Sequence, residues 1–354
     1  MRFAAFISPH GFGHAARSSA VLAEVNRRAG ATFELFTTAP RWFFEESLAG
    51  TFRYHEVLVD VGFRQESALE FDLNGTVTAL ESLVPFDEER VAALAALVRG
   101  TGCDAVLCDI APLGIAVADA AGLPSVLVEN FSWSWLYEPL FEVAPDLRAI
   151  SSEFDRWVAR ATVHVQAQPV CERSDGCELV DPISREARLD RAAARIALDI
   201  DGARPVVLVT MGGYGEPMPF LSRLRELSNV TFVITGAAQS GRDGNLHLFD
   251  NNTPLFMPDV MRAADALVAK LGYGTVSEAW REGIPFAHVT RPDSREMASL
   301  ETFVHDQLAG FLVTRREFTQ GKWIDRLPEL LALPRRPRPG GGAARVAEIL
   351  LDLV

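Results

Sequence analysis

Short apolar segments rich in β-branched and aromatic residues alternate along the chain with longer segments in which apolar residues recur at helical spacing. In the first half this pattern predicts strands at residues 2–8, 32–37, 55–61, 105–109, 125–129 and 162–166. It predicts helices between them at residues 15–29, 40–49, 87–99 and 115–121. Such alternation is typical of βαβ units built on a parallel sheet.

A second series follows a polar, Cys- and Pro-containing stretch at 169–188, beginning with a helix at 192–198. Its predicted strands are 206–211, 231–235, 246–249, 266–269 and 286–289. A Pro- and Gly-rich segment, 334–342, then precedes a last helix at 343–353. We therefore predict an α/β protein with two doubly wound, Rossmann-like domains, 1–168 and 189–336, an interdomain linker at 169–188, and a linker with the C-terminal helix at 337–354. Ligands bind at the carboxyl ends of the strands in such folds, so two of these domains predict a central cleft.

Composition and charge disfavour several classes of protein. The 354 residues are 48% hydrophobic with a formal net charge of −13, which disfavours a protein that grips nucleic acid. The four cysteines have no CxxC spacing, so reduced thiols are expected and neither a zinc site nor a disulfide framework. The apolar start is too short for a signal peptide and no run of 18 apolar residues follows, which predicts a cytoplasmic protein without a transmembrane segment. The basic residues at 335–338 fit a solvated linker and leave peripheral contact with acidic lipid open.

A glycine turn follows the first strand, where residues 8–17 are S-P-H-G-F-G-H-A-A-R. Its G-x-G-x-x-A pattern is weak evidence for a dinucleotide fold, because no acidic residue ends the second strand. His14 in this turn fits a general base, since a helix N-terminus keeps an imidazole neutral; a structural histidine is the alternative. For His10 the structural interpretation is preferred. Asp109, at the end of its strand, would orient an imidazole or an acceptor hydroxyl, or cap the next helix.

The second series contains A-K-L-G-Y-G-T-V-S-E-A-W at 269–280, a strand followed by glycines and a helix start. Free N–H groups at such a terminus hold a phosphate without a metal. Glu278, one turn into the helix, can accept hydrogen bonds from two ribose hydroxyls, or can simply complement the helix dipole. The turn T-M-G-G-Y-G-E at 210–216 is either an anion-binding nest or a tight strand-to-helix connection.

Together these two patches resemble the GT-B glycosyltransferases, particularly the MurG-like group. Gly13-His14 matches that group's first glycine turn, and residues 272–278 match its Gly-x-x-Thr-x-x-Glu nucleotide site. The form H-G-F-G-H at 10–14 is also similar to the glycosyltransferase-like half of plant arabinokinases and related bacterial predicted glycosyltransferases. No sugar-kinase phosphate loop follows, so kinase activity is not expected. MurG-like enzymes have a glutamine pair where this chain has Arg295 and Glu296, so the donor sugar is left open.

The resemblance implies an inverting hexosyl- or N-acetylhexosaminyl-type transferase. Its co-substrate would be a nucleotide-diphosphate sugar, preferably a UDP-sugar, with a hydroxyl acceptor and no separate cofactor. Because D-x-D at 199–201 fits a solvated turn, metal independence is expected. The alternatives are a GT-B-like nucleotide-sugar epimerase and a non-catalytic sugar-nucleotide-binding protein. The predicted catalytic residues are His14 and Asp109, and the predicted donor-binding residues are Gly13, Gly212, Gly213, Tyr214, Met257, Gly272, Tyr273, Gly274, Thr275, Val276, Glu278, Arg295 and Glu296.

Overall fold

The computed structural model describes residues 1–48, 50–65, 71–200, 202, 204–212, 217–250, 253, 255–290 and 294–354. The chain divides into two compact units. The first contains the described residues up to Ser184 and, again, Gly340–Val354, and the second contains those of Arg185–Pro339.

The first unit is built on a seven-stranded parallel sheet with the order β3-β2-β1-β6-β7-β8-β9, plus a short antiparallel ribbon of β4 and β5. Its strands are β1 (Arg2–Ile7), β2 (Thr32–Thr37), β3 (Phe52–Glu56), β4 (Arg64–Gln65), β5 (Phe71–Asp72), β6 (Ala105–Asp109), β7 (Ser125–Glu129), β8 (Val163–Ala167) and β9 (Glu178–Val180). Its helices are α1 (Phe12–Ala29), α2 (Arg41–Ser47), α3 (Leu73–Glu81), α4 (Glu88–Gly100), α5 (Pro112–Ala121), α6 (Trp133–Tyr137) and α7 (Leu147–Val158), with a 3₁₀ turn at Glu138–Leu140.

The second unit has the sheet order β12-β13-β11-β10-β14-β15-β16, parallel except for β12. Its strands are β10 (Val206–Thr210), β11 (Thr231–Thr235), β12 (Gly241–Asp243), β13 (Leu246–Phe249), β14 (Ala266–Lys270), β15 (Phe286–Val289) and β16 (Gly310–Val313). Its helices are α8 (Arg191–Ala197), α9 (Leu221–Glu226), α10 (Met257–Ala263), α11 (Tyr273–Glu282), α12 (Met297–Gln307), α13 (Arg315–Thr319) and α14 (Leu327–Ala332), with a 3₁₀ turn at Lys322–Arg326.

The central strands are apolar because helices cover both faces of each sheet. All five residues of β6, of β7 and of β10 are buried, as expected for parallel strands inside an α/β unit. In each unit the strand order reverses beside the first strand, between β1 and β6 and between β10 and β14. Open α/β sheets bind ligands at such a switch point, so the turns after these four strands are where chemistry is expected.

The chain ends with α15 (Gly342–Asp352), whose Val346, Ala347 and Leu350 are buried in the core of the first unit. The preceding segment, Pro334–Pro339, packs on the second unit and is not the fully solvated linker that its composition suggested. The Arg335 guanidinium donates to the carbonyl oxygens of Arg262, Ala264 and Glu282 and pairs with the Glu282 carboxylate at 2.5 Å. Arg335 is therefore occupied within the protein and is not a free cation for lipid.

The predicted α/β architecture is confirmed, and six strands have the predicted bounds: β2, β6, β7, β11, β13 and β15. The strand predicted at 55–61 instead covers Phe52–Glu56, because this edge strand is partly exposed and its apolar pattern is weak. The short edge strands β9, β12 and β16 were not predicted, nor were α3, α6 and α7. Among the described residues, no helix combines the length and apolarity that crossing a bilayer requires.

Candidate functional site

At the switch point of the first unit, His14 and Asp109 form a hydrogen bond. His14 lies in the first turn of α1, which begins after the glycine turn that follows β1, and Asp109 is the last residue of β6. Because β1 and β6 are neighbours, with Ile7 in register with Asp109, both side chains reach the same sheet edge. His14 Nδ1 lies 2.8 Å from Asp109 Oδ1, and the side chains are 10% and 1% exposed.

Asp109 is held by further donors from α1. Arg17 donates from Nε to Oδ2 at 2.9 Å and from Nη2 to Oδ1 at 2.6 Å, and Ser18 Oγ donates to Oδ2 at 2.9 Å. Burial alone would raise the pKa of Asp109, but the charge of Arg17 and the hydrogen bonds from His14 and Arg17 lower it to about 2. The carboxylate is therefore ionised at neutral pH.

The ionised Asp109 carboxylate determines which nitrogen of the His14 ring faces it with a proton. An ionised carboxylate accepts only, so Nδ1 of His14 carries a proton toward Asp109, and Nε2 is the ring nitrogen left for another group. Helix α5 has Ala111 at its N-cap and no side-chain cap, so Asp109 bonds the imidazole and does not cap that helix. This is the arrangement that a histidine general base requires.

The residue after Asp109 is strained. Ile110 has φ +49°, a left-handed conformation that a β-branched residue adopts only at an energetic cost of about 1–3 kcal/mol. Its N–H donates to the carbonyl oxygen of Val128 on β7 at 3.1 Å. Strain at the end of β6, where Asp109 turns toward α1, is typical of functional positions.

A second buried carboxyl, Asp60, lies near this pair and was not identified from the sequence. Ser8 Oγ donates to Asp60 Oδ1 at 2.8 Å, Trp133 Nε1 donates to Oδ2 at 3.2 Å, and Ser8 Oγ accepts from the His10 N–H at 3.2 Å. Burial raises the pKa of Asp60 to about 7, with a small added effect of the charge on Asp109. Asp60 thus connects the glycine turn to the start of α6.

The aromatic segment 131–137 mainly closes the core. Phe131, Trp133 and Tyr137 are buried, and Tyr137 donates its hydroxyl to the Gly62 carbonyl oxygen at 2.9 Å. The Trp133 ring packs edge-on against His10, with centroids 5.4 Å apart, and lies 6.3 Å from the ring of His14. Trp133 therefore packs against the two histidines, and Phe131 and Tyr137 pack against Trp133.

The switch point of the second unit contains two glycine turns, after β10 and after β14. Gly212, with φ +76°, donates its N–H to Thr210 Oγ1 at 3.3 Å. Gly213 and Tyr214 lie outside the described residues. Gly272 is the N-cap of α11 and supplies no side-chain cap, so the N–H groups of Tyr273, Gly274 and Thr275 begin a helix at this edge.

The other predicted donor-binding residues surround α11. Val276 is fully buried and its N–H donates to the Gly272 carbonyl oxygen at 2.9 Å, so its contribution at this edge is to pack α11. Met257 begins α10 and packs partly buried against the same core as α11. Arg295 and Glu296, both partly exposed, immediately precede α12, which also packs on α11.

Glu278 is buried on α11 and paired with an arginine that the sequence gave no reason to select. Both Nε and Nη2 of Arg185 lie 3.1 Å from Glu278 Oε1. Burial raises the pKa of Glu278 above its ordinary value, while the charge and hydrogen bond of Arg185 act in the opposite direction. The two residues are 93 positions apart, so no local motif could reveal the pair.

Sequence comparison finds two groups of relatives. The chain is 27% identical over 366 residues to the L-arabinokinase of Arabidopsis thaliana, which covers 99% of this chain and 34% of that protein. It is 34% identical over 152 residues to the UDP-N-acetylglucosamine–N-acetylmuramyl-(pentapeptide) pyrophosphoryl-undecaprenol N-acetylglucosamine transferase of Paenarthrobacter aurescens, covering 38% of this chain and 41% of that enzyme. The chain thus spans well under two thirds of the length of these curated relatives. No family model matches it.

Solved structures of glycosyltransferases are similar in fold to this chain over its whole length. The glycosyltransferase of kitacinnamycin superposes with a TM-score of 0.67 at 18% identity, covering 100% of this chain and 99% of its own. The glycosyltransferase VinC, solved in complex with dTDP, gives a TM-score of 0.63 at 16% identity, covering 100% of this chain and 96% of its own. The chain therefore has the GT-B fold and is similar in sequence to the arabinokinase and the MurG-type transferase.

Proposed function

We propose that the chain is a glycosyltransferase that moves a sugar from a nucleoside-diphosphate sugar to a hydroxyl acceptor, without a metal and with inversion. The observation that carries the proposal is the hydrogen bond of 2.8 Å between His14 Nδ1 and Asp109 Oδ1, which leaves Nε2 of His14 as a base. A protein that only bound sugar nucleotides would have no use for a buried histidine–aspartate pair beside a strained residue, Ile110.

In the proposed reaction the acceptor hydroxyl gives its proton to His14 Nε2 and its oxygen attacks the anomeric carbon of the donor. The bond from that carbon to the diphosphate oxygen breaks, and the electron pair leaves with the diphosphate. Asp109 stabilises the imidazolium that forms and holds its orientation. A single displacement of this kind inverts the anomeric configuration.

The second unit is proposed to hold the donor. The helix dipole and the N–H groups at the start of α11 would bind the diphosphate and stabilise the charge that develops on it. Glu278 would accept hydrogen bonds from the ribose, and Met257, Arg295 and Glu296 would contact the rest of the donor. The arrangement of Gly272–Glu278 on one helix start supports this assignment.

Uridine is the preferred base. The transferase from Paenarthrobacter aurescens uses a UDP-sugar by name, whereas VinC was solved with dTDP, so relatives of this fold take more than one nucleotide. The first experiment is thermal unfolding of the protein with UDP, GDP, dTDP, ADP or NAD. Selective stabilisation by one nucleoside diphosphate, lost in Glu278→Ala, is the expected result. It should be kept in the control Glu329→Ala, because Glu329 is an exposed glutamate of the same unit. Stabilisation by NAD alone would contradict the proposal.

Replacing His14 by Ala should lower turnover by about 10²–10⁴-fold, because the acceptor would lose its general base. The affinity for the nucleotide should stay nearly unchanged, since the donor is assigned to the other unit. His305→Ala is the matched control, because His305 is exposed and pairs only with its neighbour Asp306 among the ion pairs of the described residues. The measurement is release of nucleoside diphosphate with a panel of hydroxyl acceptors.

Product analysis with donor alone separates the competing functions. An epimerase would convert the donor sugar without an acceptor. A non-catalytic binding protein would bind the donor but release no nucleoside diphosphate, with or without an acceptor. A fully active His14→Ala variant would refute the assignment of the base.

A further inference from the structure

Arg185 occupies a position that the proposed function leaves unexplained. It is the first residue of the second unit and is only 7% exposed, although arginine is rarely buried without a specific partner. Its guanidinium carbon also lies 5.1 Å from the centroid of the Phe256 ring, next to the start of α10. The side chain is thus fixed by a carboxylate and by an aromatic face together.

Arg185 contacts Glu278 through one carboxylate oxygen, Oε1. Nε of Arg185 donates to Oε1 at 3.1 Å, and Nη2 lies 3.1 Å from the same oxygen, so the contacts of Arg185 with Glu278 converge on Oε1. A charge-assisted hydrogen bond from the planar guanidinium fixes the position of that oxygen. The other oxygen, Oε2, is left to accept from a different donor.

The charge of Arg185 matters because it favours the ionised form of Glu278 against the effects that favour the neutral form. Burial and the charge of Glu282, one turn further along α11, both favour the neutral acid, and Arg185 opposes them. Glu282 is itself paired with Arg262 and Arg335, so these two arginines are committed to a different carboxylate. A protonated Glu278 would carry a hydrogen on one oxygen and could not accept from two hydroxyls with both of its oxygens.

We propose that Arg185 is a positioning residue of the nucleotide site, which holds Glu278 by Oε1 so that Oε2 accepts hydrogen bonds from the 2′ and 3′ hydroxyls of the donor ribose. This inference rests on the proposed function and extends it, because it makes recognition of the ribose depend on a residue that touches no part of the nucleotide. Lysine could supply the charge but not the planar guanidinium, which donates to Oε1 and also lies over the Phe256 ring.

The test compares the binding of UDP and 2′,3′-dideoxy-UDP by calorimetry. The wild type should bind UDP at least about tenfold more tightly, since the dideoxy compound leaves a buried acceptor without its hydroxyl partners. Arg185→Met should bind the two ligands about equally, by losing affinity for UDP and not for the dideoxy compound. In this variant, affinity for UDP should rise with pH more steeply than in the wild type, because Glu278 must ionise without help.

Arg188→Met is the matched control. Its guanidinium carbon lies 3.9 Å from the centroid of the same Phe256 ring, and its peptide N–H donates to Asp259, so the substitution disturbs the same surface without touching the Arg185–Glu278 pair. It should keep the preference for UDP. Arg185→Lys should restore part of that preference relative to Arg185→Met.

A double variant keeps the inference falsifiable if Arg185→Met does not fold. Glu278→Ala and Arg185→Met/Glu278→Ala should bind UDP equally, because Arg185 acts only through the side-chain oxygen of Glu278, which both variants lack. A further loss of about tenfold in the double variant would mean that Arg185 contacts the nucleotide itself, and would overturn the inference. Retained preference for UDP in Arg185→Met would overturn it too, with the proposed function intact. Failure of the wild type to bind UDP, GDP, dTDP or ADP would overturn both.

Discussion

Two buried aspartates at one sheet edge of the first unit respond in opposite ways to their neighbours. The pKa of Asp109 is lowered to about 2 because Arg17 and His14 outweigh burial, whereas burial outweighs two hydrogen bonds and raises the pKa of Asp60 to about 7. The sequence could single out Asp109, because it ends a strand. Asp60 gave no such signal, since its partners Ser8 and Trp133 lie 52 and 73 positions away.

Asp60 predicts a specific dependence of stability on pH. The folded state binds its proton more tightly than the unfolded chain does, so Asp60 destabilises the fold progressively as pH rises from about 4 to about 7. The full effect would be about 4 kcal/mol, because folding raises the pKa of Asp60 from its ordinary value of 3.8 to about 7. Asp60→Asn removes this term and can still accept from Trp133 and donate to Ser8. The variant should therefore gain stability over the wild type between pH 4 and 8.

Urea unfolding at a series of pH values measures this gain. Asp155→Asn is the control, because Asp155 is an exposed aspartate in the same unit. A difference between Asp60→Asn and the wild type that stayed constant across this pH range would show that Asp60 is ionised throughout.

At the scale of elements, the sequence predicted what short-range pattern determines. The central strands are fully buried and apolar except at their ends, and α1 and α11 each follow a strand and a glycine, so these elements were predicted correctly. The edge strands β9 and β16 are three and four residues long with partly exposed patterns. Their pairing depends on neighbours that only the folded sheet supplies, which is why they were missed.

The segment Pro334–Pro339 is an element whose docking can be tested at one glycine. Gly283 ends α11 with φ +57°, and a Cβ there would lie 1.9 Å from the carbonyl carbon and oxygen of Arg336. Arg336 also donates its N–H to the Gly283 carbonyl oxygen at 2.9 Å. Gly283→Ala must therefore displace the segment, and should lower the free energy of unfolding by about 3 kcal/mol or more in a urea titration.

Gly244→Ala separates the collision from the backbone conformation. Gly244 has φ +62° in the same unit, and its Cβ would meet nothing within 4 Å, so the substitution should cost only about 1–2 kcal/mol. Equal losses in the two variants would mean that the segment does not pack against Gly283 in solution.

At the scale of the whole molecule, both units have the same plan: a doubly wound sheet whose candidate functional residues lie at the switch point. The sequence predicted this because His14 and Gly272 lie where a helix begins after a strand, Asp109 ends a strand, and Glu278 lies within the helix that Gly272 precedes. It could not predict Arg17 on Asp109 or Arg185 on Glu278, since a spacing of 92 or 93 residues carries no local pattern. The motifs therefore indicated candidate residues, and tertiary contacts set the charge of those residues.

The separate cores predict that stability and nucleotide affinity can be changed independently. Leu350 is fully buried on α15, which packs along α1, the helix of His14, so Leu350→Ala should destabilise the first unit by about 2–5 kcal/mol. The dissociation constant for UDP, which we assign to the second unit, should change less than about twofold at temperatures where the variant is folded. Glu348→Ala, at an exposed position of the same helix, should alter neither quantity appreciably. A tenfold loss of UDP affinity in folded Leu350→Ala would show that the first unit also holds the nucleotide.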